Sequence, residues 1–167
     1  MSDLDPQSYR EFFGQLPTGV TAIVAGTALG PVGLVVGTFS SVSLDPPLVS
    51  FMVTSGSRSW AAVKAAGRFT ANILASDQRQ LSQTLSGWSP DKFRKVQFDD
   101  EDKGVIHGCL AWADCILDRE IEAGDHLIVL ATPCVLNVAR VSRPLIFFQR
   151  AYHRTLPVED FRAPGWA

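Results

Sequence analysis

The sequence lacks the features that usually accompany binding to nucleic acids or membranes. Lys and Arg number 15 against 17 Asp and Glu, so the formal net charge is −2 and no basic stripe is available to a nucleic-acid backbone. No apolar run is long enough to cross a bilayer. The N-terminal stretch MSDLDPQSYREFF has neither segment of a signal peptide. We therefore expect a cytoplasmic protein that binds neither nucleic acid nor membrane.

The common motifs of hydrolases, metalloenzymes and doubly wound nucleotide-binding folds are also missing. The chain has no GxSxG, no HExxH, no strand followed by GxGxxG and no GxxxxGKS/T. Its three cysteines, Cys109, Cys115 and Cys134, lack the spacing of a zinc site, so we expect reduced thiols and no metal. If the protein is a catalyst, a bound cofactor carries the difficult step.

What the sequence does contain predicts one mainly β domain over residues 1–167. Hydrophobic residues make up 46% of the chain and charged residues 19%, which is typical of a globular domain. Strands are predicted at 20–26, 32–36, 47–54, 69–74, 110–120, 127–138 and 145–148, with helices at 6–15, 57–66 and 77–85. The polar stretch 86–104 predicts a long loop. Few helices separate the strands, so we expect an antiparallel sheet that closes into a small barrel.

A serine-rich segment, GTFSSVSLDPPLV at 37–49, lies between two apolar runs. Its hydroxyls come from Thr38, Ser40, Ser41 and Ser43. A rigid, uncharged, donor-rich rim suits a planar heteroaromatic ring. The alternative is a bend whose hydroxyls bond their own backbone, and the spacing alone leaves both open. The Asp45-Pro46-Pro47 step predicts an extended exit from the segment.

The segment SGSRSW at 55–60 stands at the start of a predicted helix. Amide groups and the positive end of the helix dipole favour a phosphate there, beside Ser57 and Ser59. Arg58 adds positive charge, and Trp60 is interpreted as an aromatic wall. Simple N-capping by the serines is the alternative.

Two further positions are candidates for ligand binding. Lys92 and Phe93 place a cation beside an aromatic ring within the polar stretch, although a solvated lysine is the simpler interpretation. His126 follows a Gly-Asp turn at the point where a strand begins, next to Asp125. That histidine either donates to a ligand or has no functional role.

Taken together, these motifs resemble the flavin reductase-like family over residues 9–156. The resemblance lies in PTGV, GTFSSVSLDPPLV, SRSW, RFTANIL, DKF, AGDHLIVL and PLIFFQRAYHRTL, which occur in the order and spacing of that family. It implies a closed antiparallel Greek-key split barrel of the FMN-binding type. It also implies a homodimer with flavin near the subunit interface. Members of this family are short-chain NAD(P)H:flavin oxidoreductases, often the small component of two-component flavin-dependent monooxygenases.

The resemblance also implies roles for individual residues. His126 is expected to contact the nicotinamide and to act in catalysis by orienting it, with Tyr152 near the same entrance. The residues expected to bind flavin are Gly37, Thr38, Phe39, Ser40, Val42, Ser43, Ser57, Ser59, Trp60, Asn72, Lys92 and Phe93. The reaction expected is hydride transfer from NADH or NADPH to N5 of FMN or FAD, with reduced flavin passing to a partner monooxygenase.

Two departures from the family pattern keep other functions open. Val35 stands where relatives carry a hydroxyl, and Arg150 stands where they often carry glycine. A bulky cation at position 150 would either narrow the nicotinamide side or change its charge. A flavin-binding module without reductase turnover, such as a sensor or carrier, is therefore the alternative function, and a flavin-free barrel is a third. The residues do not distinguish FMN from FAD or NADH from NADPH.

Overall fold

Twelve strands and three short helices make up the part of the chain that the computed structural model describes, residues 4–156. The remainder of the predicted 1–167 domain lies outside the described residues. The helices are α1 (Pro6–Phe13), α2 (Arg58–Ala66) and α3 (Arg79–Ser86). The strands are β1 (Thr18–Gly19), β2 (Thr21–Ala25), β3 (Val32–Val36), β4 (Ser40–Leu44), β5 (Pro47–Thr54), β6 (Arg68–Ile73), β7 (Phe98–Asp100), β8 (Val105–Ile106), β9 (Ala111–Ala123), β10 (His126–Val138), β11 (Leu145–Phe148) and β12 (Ala151–Arg154).

The main sheet is antiparallel and has seven strands in the order β3-β2-β6-β9-β10-β5-β4. The mainly β, antiparallel prediction is therefore confirmed. Within residues 4–156, no hydrogen-bonded ladder joins the two edge strands β3 and β4, so the ladder itself does not close. A side chain instead links the two sides of the sheet. Thr38 lies just after β3, and its Oγ1 accepts a hydrogen bond at 2.8 Å from the amide of Met52 in β5, the neighbour of β4.

The interior of the sheet is packed with aromatic rings and covered by α2. Phe51, Trp60 and Phe69 are at most 2% exposed and pack edge to face, with ring centroids 5.3 Å apart for Phe51–Trp60 and 5.6 Å for Phe51–Phe69. A second cluster under α3 includes Leu85 and Phe93. These two clusters fix α2 and the segment after α3 against the sheet.

The serine-rich segment forms a strand where a rim or a bend was predicted. Residues 40–44 are strand β4, which forms a hairpin with β5 through the turn at Asp45-Pro46. The missed signal is the alternation of small hydroxyl residues with Val42 and Leu44, which suits an exposed edge strand. The backbone groups of β4 that face β5 are thus paired with that strand, with an irregularity between Ser41 and Ser43.

Several element boundaries also differ from the predictions. The third helix begins at Arg79, not at residue 77, and Gln78 precedes it without a side-chain cap. Asp77, where the helix was predicted to begin, instead accepts a hydrogen bond from Arg140 at 2.6 Å and forms a tertiary ion pair. The polar stretch 86–104 contains β7, which pairs with β8 and shortens the predicted loop. No helix within residues 4–156 is long and apolar enough to cross a membrane.

Candidate functional site

A cleft of about 530 Å³ opens where β3 and β5 separate. Residues 34–38 form one wall, and residues 52–54 of β5 form the opposite wall. The start of α2 and residues 86–88 close one end, and His126 lines the cleft at the start of β10. Four segments distant in sequence therefore meet at the gap in the sheet.

Two contacts hold the cleft wall that follows β3: the close approach of Gly37 to Thr18 and the hydrogen bond of the Thr38 hydroxyl. A Cβ atom on Gly37 would lie 2.8 Å from Thr18 Oγ1, so only glycine fits without displacing that side chain. The hydroxyl of Thr38 is hydrogen-bonded to the backbone amide and carbonyl of Met52. Thr38 consequently shapes the cleft, and its oxygen already has a protein partner.

The start of α2 presents several unused donors to the cleft. Ser57 is the N-cap, and its Oγ accepts from the Trp60 amide at 3.1 Å. Ser59 Oγ accepts from Lys92 Nζ at 3.2 Å. Both serine oxygens are acceptors, and neither hydroxyl proton has an acceptor within residues 4–156. With the free amides of the first helical turn, these protons form a cluster of donors that suits an anion, which we call the anion-binding group.

Lys92 is a buried cation directly behind this group. Its Nζ donates to the carbonyls of Leu85, at 3.2 Å, and Gly87, at 3.0 Å, as well as to Ser59. It forms no ion pair with a carboxylate in the described part of the chain, and burial lowers its pKa. The lysine fastens the segment after α3 to the start of α2, and it adds positive charge behind the anion-binding group.

His126 lines the cleft at the start of β10, where it pairs with Thr54 of β5. Its Nδ1 lies 2.6 Å from Asp125 Oδ1, and its side chain is 43% exposed. The hydrogen bond with His126 lowers the pKa of Asp125, so this carboxylate stays charged. With Nδ1 directed to Asp125, the other ring nitrogen, Nε2, remains available to a ligand.

The sequence interpretation did not predict Trp88 as a cleft residue, and it treated Arg58 only as a source of positive charge. Trp88 lines the cleft at 61% exposure, and the Arg58 guanidinium carbon lies 5.1 Å from the centroid of its ring. The available signal was a lone tryptophan within the polar stretch, close in sequence to Lys92. Arg58 and Trp88 together form the rim of the cleft beside the anion-binding group.

A profile of the flavin reductase-like domain matches residues 13–156. The chain belongs to the flavin reductase-like family. It is 39% identical over 154 residues to a flavin reductase of Pseudomonas putida, covering 90% of this chain and 91% of the relative. It is 36% identical to the reductase subunit HsaB of a flavin-dependent monooxygenase from Rhodococcus jostii, covering 96% of this chain and 84% of that protein.

Solved structures of flavin reductases agree with this assignment. Nitrilotriacetate monooxygenase component B from Mycobacterium thermoresistibile superposes with a TM-score of 0.88 at 37% identity, covering 96% of this chain and 92% of that one. An NADH:FAD oxidoreductase from Streptomyces globisporus, solved with NAD and FAD fragments, gives a TM-score of 0.85 at 29% identity. That match covers 96% of this chain and all of the other.

The structure brings together part of the flavin-binding set expected from the resemblance. Gly37, Thr38, Ser57, Ser59 and His126 line the cleft, and Lys92 stands directly behind Ser59. Val35 also lines the cleft. Its side chain gives this part of the cleft wall an apolar surface.

Other expected residues lie away from the cleft. Ser40, Val42 and Ser43 belong to edge strand β4, where the Ser40 hydroxyl donates to the Ser41 carbonyl at 3.2 Å. Phe39 packs against the sheet interior. An edge strand of a single chain offers these side chains to solvent or to another subunit.

Three more expected residues are buried in structural positions. Trp60 is 2% exposed in the sheet interior and donates through Nε1 to Glu120, so the aromatic-wall interpretation is wrong within this chain. Asn72 is fully buried, with its side chain bonded to the Gly104 carbonyl and the Ile106 amide. Phe93 packs under β3, where a Cβ atom on Gly33 would lie 3.1 Å from its ring.

Tyr152 and Arg150 lie on the far side of the cleft wall. Tyr152 lines a neighbouring cavity of about 170 Å³, and its hydroxyl lies 3.0 Å from Ser82 Oγ. Arg150 occupies the β11–β12 turn with φ +62°, a conformation that favours glycine. It lines a groove beside α1 and does not line the cleft that contains His126. The predicted effect of Arg150 on the nicotinamide side stays a prediction.

Proposed function

We propose that this protein is an NAD(P)H:flavin oxidoreductase that binds FMN or FAD in the cleft between β3 and β5. The observation that carries the proposal is the anion-binding group at the start of α2, which lies in the cleft of a chain belonging to the flavin reductase-like family. We infer that the gap between β3 and β5 is the split of a split barrel.

The residues of the cleft fit a flavin nucleotide. A volume of about 530 Å³ is within the usual range for a small-molecule site. Ser57, Ser59 and the first-turn amides would hold the ribityl phosphate, and the buried charge of Lys92 favours the same anion. Val35 and Met52 would supply apolar walls for the ring system.

The chain's own contribution to the reaction is positioning. Bound flavin supplies the hydride acceptor N5, and NADH or NADPH supplies the hydride. His126, held by Asp125, would orient the nicotinamide and exclude water. No side chain of the cleft is required as a general base, because hydride transfer needs alignment more than proton removal. The named reductase relatives favour turnover over a flavin-binding module.

We also propose a cytoplasmic homodimer that passes reduced flavin to a partner monooxygenase. The relatives named as reductase subunits motivate the partner. The exposed apolar residues of the main sheet motivate the dimer, since Leu44, Leu136 and Val138 are 73–92% exposed. Sedimentation of the purified protein at working concentration tests the homodimer, which a monomer would exclude.

The phosphate assignment distinguishes FMN from riboflavin, which lacks the phosphate. We expect Ser59→Ala to raise the KM for FMN about fivefold, because one hydrogen bond to a charged group is lost. The KM for riboflavin should change by less than about twofold. Thr84→Ala is the matched control, since that hydroxyl bonds the Gln80 carbonyl on α3. An equal loss for both flavins would place the phosphate elsewhere.

A further inference from the structure

The pair formed by Arg58 and Trp88 has no evident structural purpose. Trp88 leaves 61% of its surface exposed at the cleft rim. Arg58 is exposed and forms no ion pair within residues 4–156; its guanidinium lies 5.1 Å from the indole centroid. The two side chains thus present a flat aromatic and cationic surface to the cleft.

The position of this pair relative to the anion-binding group indicates what it would meet. Arg58 lies between Ser57 and Ser59 in sequence, at the first position of α2. A ligand whose phosphate sits at the start of α2 would therefore reach Arg58 and Trp88 with the part that continues beyond that phosphate. FMN ends at this phosphate, whereas FAD continues through a second phosphate to adenosine.

We propose that Arg58 and Trp88 bind the second phosphate and the adenine of FAD, and that they make FAD the preferred flavin of this protein. The inference rests on the proposed function, because it extends the same cleft. Adenine stacks well on indole, and guanidinium both stacks on aromatic faces and pairs with phosphate oxygens. Trp88 supplies the indole for the adenine, and Arg58 supplies the guanidinium for the second phosphate.

Calorimetric titration with oxidised FAD and FMN tests this directly and needs no turnover. The unaltered protein should bind FAD about tenfold more tightly than FMN, the effect expected for one stacked base. Trp88→Ala should remove most of that ratio, and Trp88→Phe should retain part of it because the ring still stacks. Leu29→Ala, a fully exposed apolar truncation outside the cleft, should leave the ratio unchanged. Thermal melting confirms that the variants fold.

ADP alone provides a second arm, because it carries the adenylate without flavin. ADP should compete with FAD for the unaltered protein and compete several-fold less well for Trp88→Ala. Equal weakening of FAD and FMN would overturn the proposal, since Trp88 would then only shape the cleft. A rise in the KM of Trp88→Ala for NADH, measured with FMN as acceptor, would also overturn the proposal. Trp88 would then stack on the adenine of the reductant and not on that of FAD. If neither flavin binds the unaltered protein, the proposed function itself fails.

Discussion

His126 is the residue that we propose orients the nicotinamide without holding the flavin phosphate. It lines the cleft at the start of β10, with its Nδ1 held by Asp125. We expect His126→Ala to raise the KM for NADH about fivefold, the effect of one lost hydrogen bond, and to change flavin affinity less. His107→Ala is the matched control, because His107 is also paired with an exposed carboxylate, Asp99, but lies outside the cleft. Unchanged nicotinamide kinetics would refute this role.

Thr38 illustrates a hydroxyl whose contribution is structural. Its Oγ1 accepts from the Met52 amide and so links the end of β3 to β5 across the gap. We expect Thr38→Val to lower the free energy of unfolding by about 1 kcal/mol, because the amide loses its partner. Thr38→Ser keeps the hydroxyl and should be nearly neutral, as should Ser40→Ala on exposed β4. Urea denaturation measures all three, and a neutral Thr38→Val would show that the link contributes nothing.

At the scale of elements, Lys92 fastens the segment after α3 to the start of α2. Lys92→Met removes the donor to Leu85, Gly87 and Ser59, so we expect the KM for flavin to rise about tenfold as that end of the cleft loosens. Lys95→Met is the control, because Lys95 lies in the same segment and is exposed. An equal effect of both substitutions would mean that only net charge matters.

The same lysine predicts a pH dependence of stability. Burial lowers the pKa of Lys92, so just below the ordinary lysine pKa the unfolded chain holds more protons than the folded one. Stability of the unaltered protein relative to Lys92→Met should therefore rise as the pH increases through that window. Denaturation at a series of pH values checks the sign, and a falling difference would contradict a buried, charge-disfavoured lysine.

The elements could be predicted where local signals act alone, and they were missed where tertiary contacts decide. Helix α2 runs from its serine cap to Gly67 at φ +68°, close to the prediction, because capping and left-handed glycine are local effects. Strand β4 was missed because it forms by pairing with β5. A serine-rich sequence does not by itself indicate a strand. The start of α3 shifted because Asp77 pairs with Arg140, which is remote in sequence.

At the scale of the whole molecule, the sequence predicted which segments meet but not which side chains face the cleft. Ser57 and Ser59 were found because a helix start orients its donors predictably. Trp60, one residue further on, points into the core, and no local pattern distinguishes the two directions. Trp88 was missed because the fold of the polar stretch 86–104 depends on Lys92 and on contacts distant in sequence.

The central claim is that the cleft between β3 and β5 supports reduction of flavin by a nicotinamide nucleotide. The most direct measurement is the rate of NADH oxidation by purified protein as free FAD is added, followed by the absorbance of NADH. The account predicts a rate that rises with FAD, saturates, and falls in Ser59→Ala at low FAD. A protein that binds FAD and yet consumes no NADH or NADPH at any flavin concentration would contradict the claim.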